Sequence, residues 1–242
     1  MAHGQPDYGM YSLASTIYRL TDMGELAARL GSGNRHDRRG NVLYASNFAG
    51  GINEWATTVI GAGSEVTWSP DMPYVGGFCC RLHTGTAAFN YAKARIHLPY
   101  PSLSMIGVEA AIAINYYHDA TFISLDMYLD GVQYNGQIRY DAATDSVNLY
   151  LAGGGFEELL PKPNLSVSEG RYHIFKLVID AETKKHTRLI LDSHVYDLSG
   201  YDIYQQASIS GDQLVAAVWV QTDDTAGRDS YLGNVIVTHN EM

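Results

Sequence analysis

The sequence predicts an all-β protein: an antiparallel β-sandwich of jelly-roll type, preceded by an N-terminal arm with one short helix. Three observations lead there. From Val42 onward, apolar and β-branched runs recur roughly every dozen residues with turn residues between them, a rhythm of sandwiches and not of alternating βα units. Within a run the side chains alternate: in Lys176–Asp180, Leu177 and Ile179 share one face while Lys176, Val178 and Asp180 share the other. Asp130-Gly131 between two such runs is a hairpin signal.

The elements follow in order. Residues 1–41 form the arm. Asp22 and Glu25 have the spacing of a capping box, and Gly31 stands where a helix terminus wants a left-handed residue, so a helix is expected over about 22–30. The arm has too few apolar residues to fold alone, so it must borrow burial from the sandwich or from another chain. Residues 42–242 form the sandwich. Strands are expected at Val42–Tyr44, Ala56–Ile60, Glu65–Trp68, Phe78–Leu82, Tyr91–Leu98, Val108–Tyr117 and Thr121–Leu129. They continue at Gln137–Tyr140, Val147–Leu151, Phe156–Leu160, His173–Asp180, Arg188–Asp192, Leu214–Gln221 and Leu232–Thr238. The second face of Lys176–Asp180 mixes Val178 with charges, as on a sheet edge or a wet face. Val215–Val220 is apolar on both faces and should be buried on both, under the arm or at a subunit contact.

Composition bounds the function. The chain has 242 residues, 46% hydrophobic and 17% charged, which is globular composition. Its formal net charge of -10 repels phosphate backbones and anionic lipid, so neither nucleic acid nor a membrane is an expected partner. Cys79 and Cys80 are adjacent and point to opposite faces, so both are expected as free thiols. No conventional signal peptide is visible at the N-terminus and no apolar run approaches 18 residues.

Tyr172–Asp180, the polar turn, Thr187–Asp192 and His194–Leu198 resemble a hairpin of concanavalin A-like and laminin G-like sandwiches. Tyr231–Val237 is similar to their closing strand. Phe48–Trp55, Gly76-Gly77 and Leu82–Gly85 resemble the opening of carbohydrate-binding sandwiches. The likeness covers about residues 42–240. An arm followed by a lectin-like sandwich also resembles accessory proteins of tailed-phage virions, the decoration and tail-associated proteins. That resemblance implies a protein made in a host cytoplasm and carried on a virion.

No catalytic constellation is found. The paired-carboxylate string of one glycosidase family in this class, Glu-x-Asp-x-x-Glu, is absent. Asp126 and Asp130 read as a wet-face residue and a turn residue. The nine histidines are scattered without metal-ligand spacing. Asp141–Asp145 reads as a hairpin turn in preference to a calcium loop. Neither metal nor cofactor is therefore expected. What remains is tyrosine, 18 in all. Tyr116, Tyr117, Tyr128, Tyr134, Tyr140 and Tyr150 are candidates for a contact surface, since aromatic faces anchor both proteins and sugar rings. Tyr8, Tyr11, Tyr18, Arg35, Arg38 and Arg39 are candidates for assembly through the arm. The expected function is a non-enzymatic virion accessory protein, homo-oligomeric and bound to protein subunits. The alternatives are a carbohydrate-binding module or lectin, with glycans as partners, and a glycoside hydrolase.

Overall fold

A computed structural model describes residues 40–241 except 75–76, 101–102, 116–118, 168–169 and 224. The arm, its expected helix over 22–30, and Tyr116 and Tyr117 lie outside these residues. The described chain forms the strands β1 (Asn41–Ser46), β2 (Ala56–Ile60), β3 (Glu65–Ser69), β4 (Cys79–His83), β5 (Tyr91–Leu98), β6 (Met105–Ile114), β7 (Asp119–Leu129) and β8 (Val132–Asp141). They are followed by β9 (Ser146–Tyr150), β10 (Phe156–Pro161), β11 (Tyr172–Asp180), β12 (Lys185–Leu191), β13 (His194–Asp197), β14 (Tyr204–Ala207), β15 (Gln213–Thr222) and β16 (Asp229–His239).

These strands build two eight-stranded antiparallel sheets packed face to face, a β-sandwich. The β6 sheet runs β13-β12-β11-β6-β16-β4-β3, with β1 pairing β16 as well. The β7 sheet runs β10-β9-β8-β7-β15-β5-β2, with β14 pairing β8. Alternation sorts the side chains between the sheets. Ile106, Val108, Ile112 and Ile114 of β6 face Ile123, Leu125 and Met127 of β7 in one core cluster, joined by Leu177 and Ile179 of β11. Each such residue stabilises the fold by roughly 1.5–3 kcal/mol relative to exposure. The sheets approach closely at β8, where a Cβ on Gly136 would stand 2.6 Å from the Ile179 side chain. Any side chain at 136 would push the layers apart there.

Local chemistry sets the turns. Asp130 and Gly131 have φ of 51° and 77°, the pair of positive values of a two-residue hairpin turn, and they join Leu129 to Val132 in register. The Asp141 carboxylate accepts the N–H groups of Ala143 and Thr144, and Asp145 takes a positive φ, so 141–145 is the expected hairpin turn. Cys79 and Cys80 are free and buried on opposite sides of β4. Burial pushes the Cys79 thiol up to about 11 and holds Cys80 higher still, so both are protonated.

Three expectations need correction. β8 begins at Val132 and not at Gln137; Tyr134-Asn135-Gly136 looks like a turn but is drawn into the strand by pairing with β7. β13 and β14 were not anticipated, being four-residue polar edge strands. The outward face of β11 is dry, not wet: Lys176 and Val178 are 2% and 0% exposed. β11 is central, between β6 and β12, and the Lys176 ammonium is neutralised in place. Its Nζ lies 2.7 Å from Oε1 of Glu241, whose Oε2 takes Arg188 Nη2 at 2.5 Å, while Thr238 donates to Oε1.

Candidate functional site

A cleft of about 460 Å³ opens on the outward face of the β7 sheet. Its shape follows from register. Arg95 of β5 lies beside Ala217 of β15, and Ala217 beside Ser124 of β7, which lies beside Gln137 of β8. The two middle positions carry small side chains and form a floor. In the next row Lys93, Trp219, Phe122 and Arg139 follow one another and build a tall wall. On the other side of the floor His97, Val215, Asp126 and Asn135 form a third row, with Tyr204 of β14 beyond Asn135. Val215 lines the cleft and Ala217 is fully buried among long neighbours, which accounts for the apolar outward face of β15 within the β7 sheet itself.

Aromatic rings make a continuous train along this face. Trp219 stacks on Phe122 at 4.7 Å with ring planes 2° apart. Phe122 meets Phe156 edge-on at 6.0 Å, Phe156 meets Tyr150 at 5.0 Å, and Tyr150 meets Tyr204 at 5.1 Å. Cations sit on the train: Lys93 Nζ is 4.2 Å from the Trp219 ring and Arg139 Cζ 4.5 Å from Phe156. All but Phe122 are half-exposed and present part of a ring face or edge to the cleft.

The polar groups are held by one carboxylate. Asp126 Oδ1 accepts from Asn135 Nδ2 at 2.5 Å and Gln133 Nε2 at 2.9 Å, and Oδ2 accepts from Ser124 at 3.1 Å. Gln133 in turn accepts from Gln206 Nε2 at 2.7 Å, which ties β14 into the site. His97 Nδ1 contacts Gln213 Oε1 at 2.9 Å. Burial lowers the Lys93 pKa, opposed by nearby Asp126 and reinforced by Arg95. Burial raises that of Tyr128, and the Asp126 charge adds to it. Asp126 is the sole carboxylate among the cleft-lining residues, so the pair a retaining glycosidase needs is not assembled in this lining. Asp130 sits in the β7–β8 turn, as the sequence predicts. Among the described residues no three His, Cys, Asp or Glu side chains group as a metal site.

The candidate tyrosines divide by parity. Tyr128 and Tyr150 line the cleft. Tyr134 and Tyr140 point to the other side of β8, toward the sandwich interior. Tyr140 is 1% exposed and donates to Asp145 Oδ1 at 3.0 Å, so its ring is core and no part of an outer surface. Tyr134 packs against the core with Lys184 Nζ 4.6 Å from its ring. Tyr116, Tyr117, Tyr8, Tyr11, Tyr18, Arg35, Arg38 and Arg39 all lie outside the described residues. The residues missed from sequence are Trp219, Phe156 and Tyr204 and the cations of β5. Tyr91-Ala-Lys-Ala-Arg-Ile-His-Leu98 alternates small or apolar residues with polar ones, a signal that could have marked a polar outward face.

No family model matches the chain, and no curated protein matches it. Solved structures do. The chain is similar to a sialidase (10% identity, TM-score 0.52), matching 83% of this chain but spanning only 19% of that one. It is similar to a carbohydrate esterase of the Shiga toxin-encoding bacteriophage phi24B, at 13% identity and TM-score 0.51 over 84% of this chain and 100% of that one. It is also similar to the CBM2 module of the evolved Dit of Lactobacillus casei BL23 phage J-1, at 11% identity and TM-score 0.50 over 82% of this chain and 95% of that one. At such identities the likeness establishes the fold alone, the lectin-type sandwich that the sequence resemblance implies.

Proposed function

We propose that the chain is a non-catalytic saccharide-binding sandwich and that its binding surface is the cleft on the β7 sheet. The carrying observation is the combination of half-buried aromatic rings with anchored amide groups around an open, small-residue floor. Sugar rings present apolar C–H faces and a rim of hydroxyls; Tyr204, Phe156 and the edge of Trp219 match the apolar part, while Gln133, Asn135 and Gln137 match the rim. The amides are held in place through Asp126, so little ordering entropy remains for binding to remove. Two of the similar structures, the CBM2 module and the carbohydrate esterase, carry the same chemistry in their names.

The test is a panel of oligosaccharides and polysaccharides against the intact protein, followed by Trp219→Ala. Loss of the indole, which borders the cleft and holds Lys93 over its ring, is expected to weaken binding about 30-fold, the size of a hot-spot residue, with the melting curve still cooperative. Failure of the unaltered protein to bind any saccharide would end the proposal. The reading as a virion accessory protein is a second one, favoured by the phage origin of two similar structures. A self-associating species in light scattering, retained when Trp219 is removed, would support it; a monomer would count against it.

A further inference from the structure

We propose that the ligand of this cleft is an anionic saccharide, one that directs a ring carboxylate or sulfate at Arg95; this rests on the saccharide-binding reading. The chain as a whole is acidic, with 26 acidic residues against 16 basic. The cleft reverses that balance. β5 projects Lys93, Arg95 and His97 from successive outward positions, and the lining offers Asp126 as its one carboxylate. A local excess of positive charge on a negative molecule is not what net composition would produce by chance placement on a solvated face.

The carboxylate does not neutralise these cations at contact. Asp126 already accepts three hydrogen bonds from Ser124, Gln133 and Asn135, and in register it sits in the row of His97 and not in that of Arg95. Lys93 rests over the Trp219 ring and forms no ion pair among the described residues. Arg95 is the decisive group. Its Nε is shielded from solvent without a hydrogen-bond partner, and no carboxylate of the described residues pairs with it. Its row neighbours Ala217 and Ser124 are small, leaving volume beside the guanidinium. A planar fork of donors beside an open floor is suited to a two-oxygen anion, held bidentately. Trp219 and Lys93 adjoin it in the next row, and Phe122 and Lys93 cover the two indole faces, so a sugar ring lying on the floor against the indole edge would place a substituent within the reach of both cations.

The experiment compares paired polymers that differ only in charge. One pair is a polyuronate and its carboxyl-reduced form; the other is a sulfated galactan and its desulfated form. Binding of each is measured by calorimetry with the intact protein. The anionic member of one pair should bind at least ~10-fold tighter than its neutral partner, the worth of one charge-assisted hydrogen bond, and the pair concerned identifies carboxylate or sulfate. In Arg95→Gln that preference should vanish while binding of the neutral polymer persists; Arg95→Lys should restore part of it. The variants are checked for native melting, and His97→Gln, whose effect on the preference should be smaller, serves as a second probe should Arg95→Gln misfold. Equal binding within both pairs overturns the charge inference and leaves the saccharide reading standing. Binding to none of the polymers, nor to the wider neutral panel, removes both.

Discussion

The outward faces of the two sheets treat buried charge in opposite ways. On the β6 sheet, Lys176 and Arg188 converge on the Glu241 carboxylate, which is fully enclosed, and Thr238 completes its bonding. Lys176 also lies beside the buried Glu109 of β6 in register, so cations and carboxylates are enclosed together on that face. On the β7 sheet, Asp126 is bonded by neutral donors, and among the described residues no carboxylate contacts Lys93 or Arg95. That face is an open cleft. The same residue types on equivalent faces thus serve different ends. A charge neutralised inside the chain fixes structure, because its removal strands its partners. A charge left uncompensated beside a cavity contributes little to folding and is available to a ligand.

This contrast is broken most directly at Glu241. Glu241→Gln removes the carboxylate that Lys176 and Arg188 share in a dry environment and should lower stability by about 3–5 kcal/mol in urea unfolding. Saccharide affinity should be unchanged. An unaltered unfolding midpoint would show that the network is idle and dissolve the contrast.

The next effect tests the same side of the molecule through pH. His186 of β12 is 1% exposed, and burial pulls its pKa down to about 4, against a weaker opposing pull from the Tyr201 carbonyl and Asp202. The native state therefore holds the neutral ring. Above about pH 6.5 neither state is protonated and the group adds no pH dependence. As pH falls from there toward 4, the unfolded chain takes up a proton that the native chain refuses. Stability should fall over that window by roughly 3 kcal/mol. His186→Gln should flatten this part of the profile; a curve that keeps its slope would place the titration elsewhere.

Much of the sandwich was legible because alternation and turn chemistry are local. Asp130-Gly131 marks its hairpin unaided, and Leu177 and Ile179 declare the inward face of β11. The site was less legible because it depends on pairing between strands far apart in the chain. Nothing near Arg95 in sequence says that Ala217 and Ser124 will lie beside it. A tyrosine's type does not give its place: Tyr140 and Tyr150 look alike in the sequence, yet parity on β8 and β9 sends one into the core and the other to the cleft. The dry face of β11 was hidden for the same reason, since the carboxylates beside Lys176, Glu241 and Glu109, are each more than sixty residues away in the chain.

The smallest effect, and the most discriminating between the two faces, is expected at Asp126. Asp126→Asn keeps the size of the side chain but turns one acceptor into an amide donor facing the donors Asn135 and Gln133 or the hydroxyl of Ser124. Stability should fall by about 1 kcal/mol, well short of the Glu241 change, because the lost bonds are to neutral groups and the cleft admits water. Binding should respond with two signs. Gln133 and Asn135 lose their anchor, so a neutral saccharide should bind more weakly. The local negative charge also disappears beside Lys93 and His97, so the ratio of anionic to neutral affinity should rise, by roughly threefold to tenfold at low salt, and the gain should shrink as salt is added. Calorimetry on the charged and neutral polymer pairs reads this ratio directly. A ratio that stays fixed would mean that the ligand does not sense the charge at Asp126, and the cleft would then differ from the β6 face in shape alone.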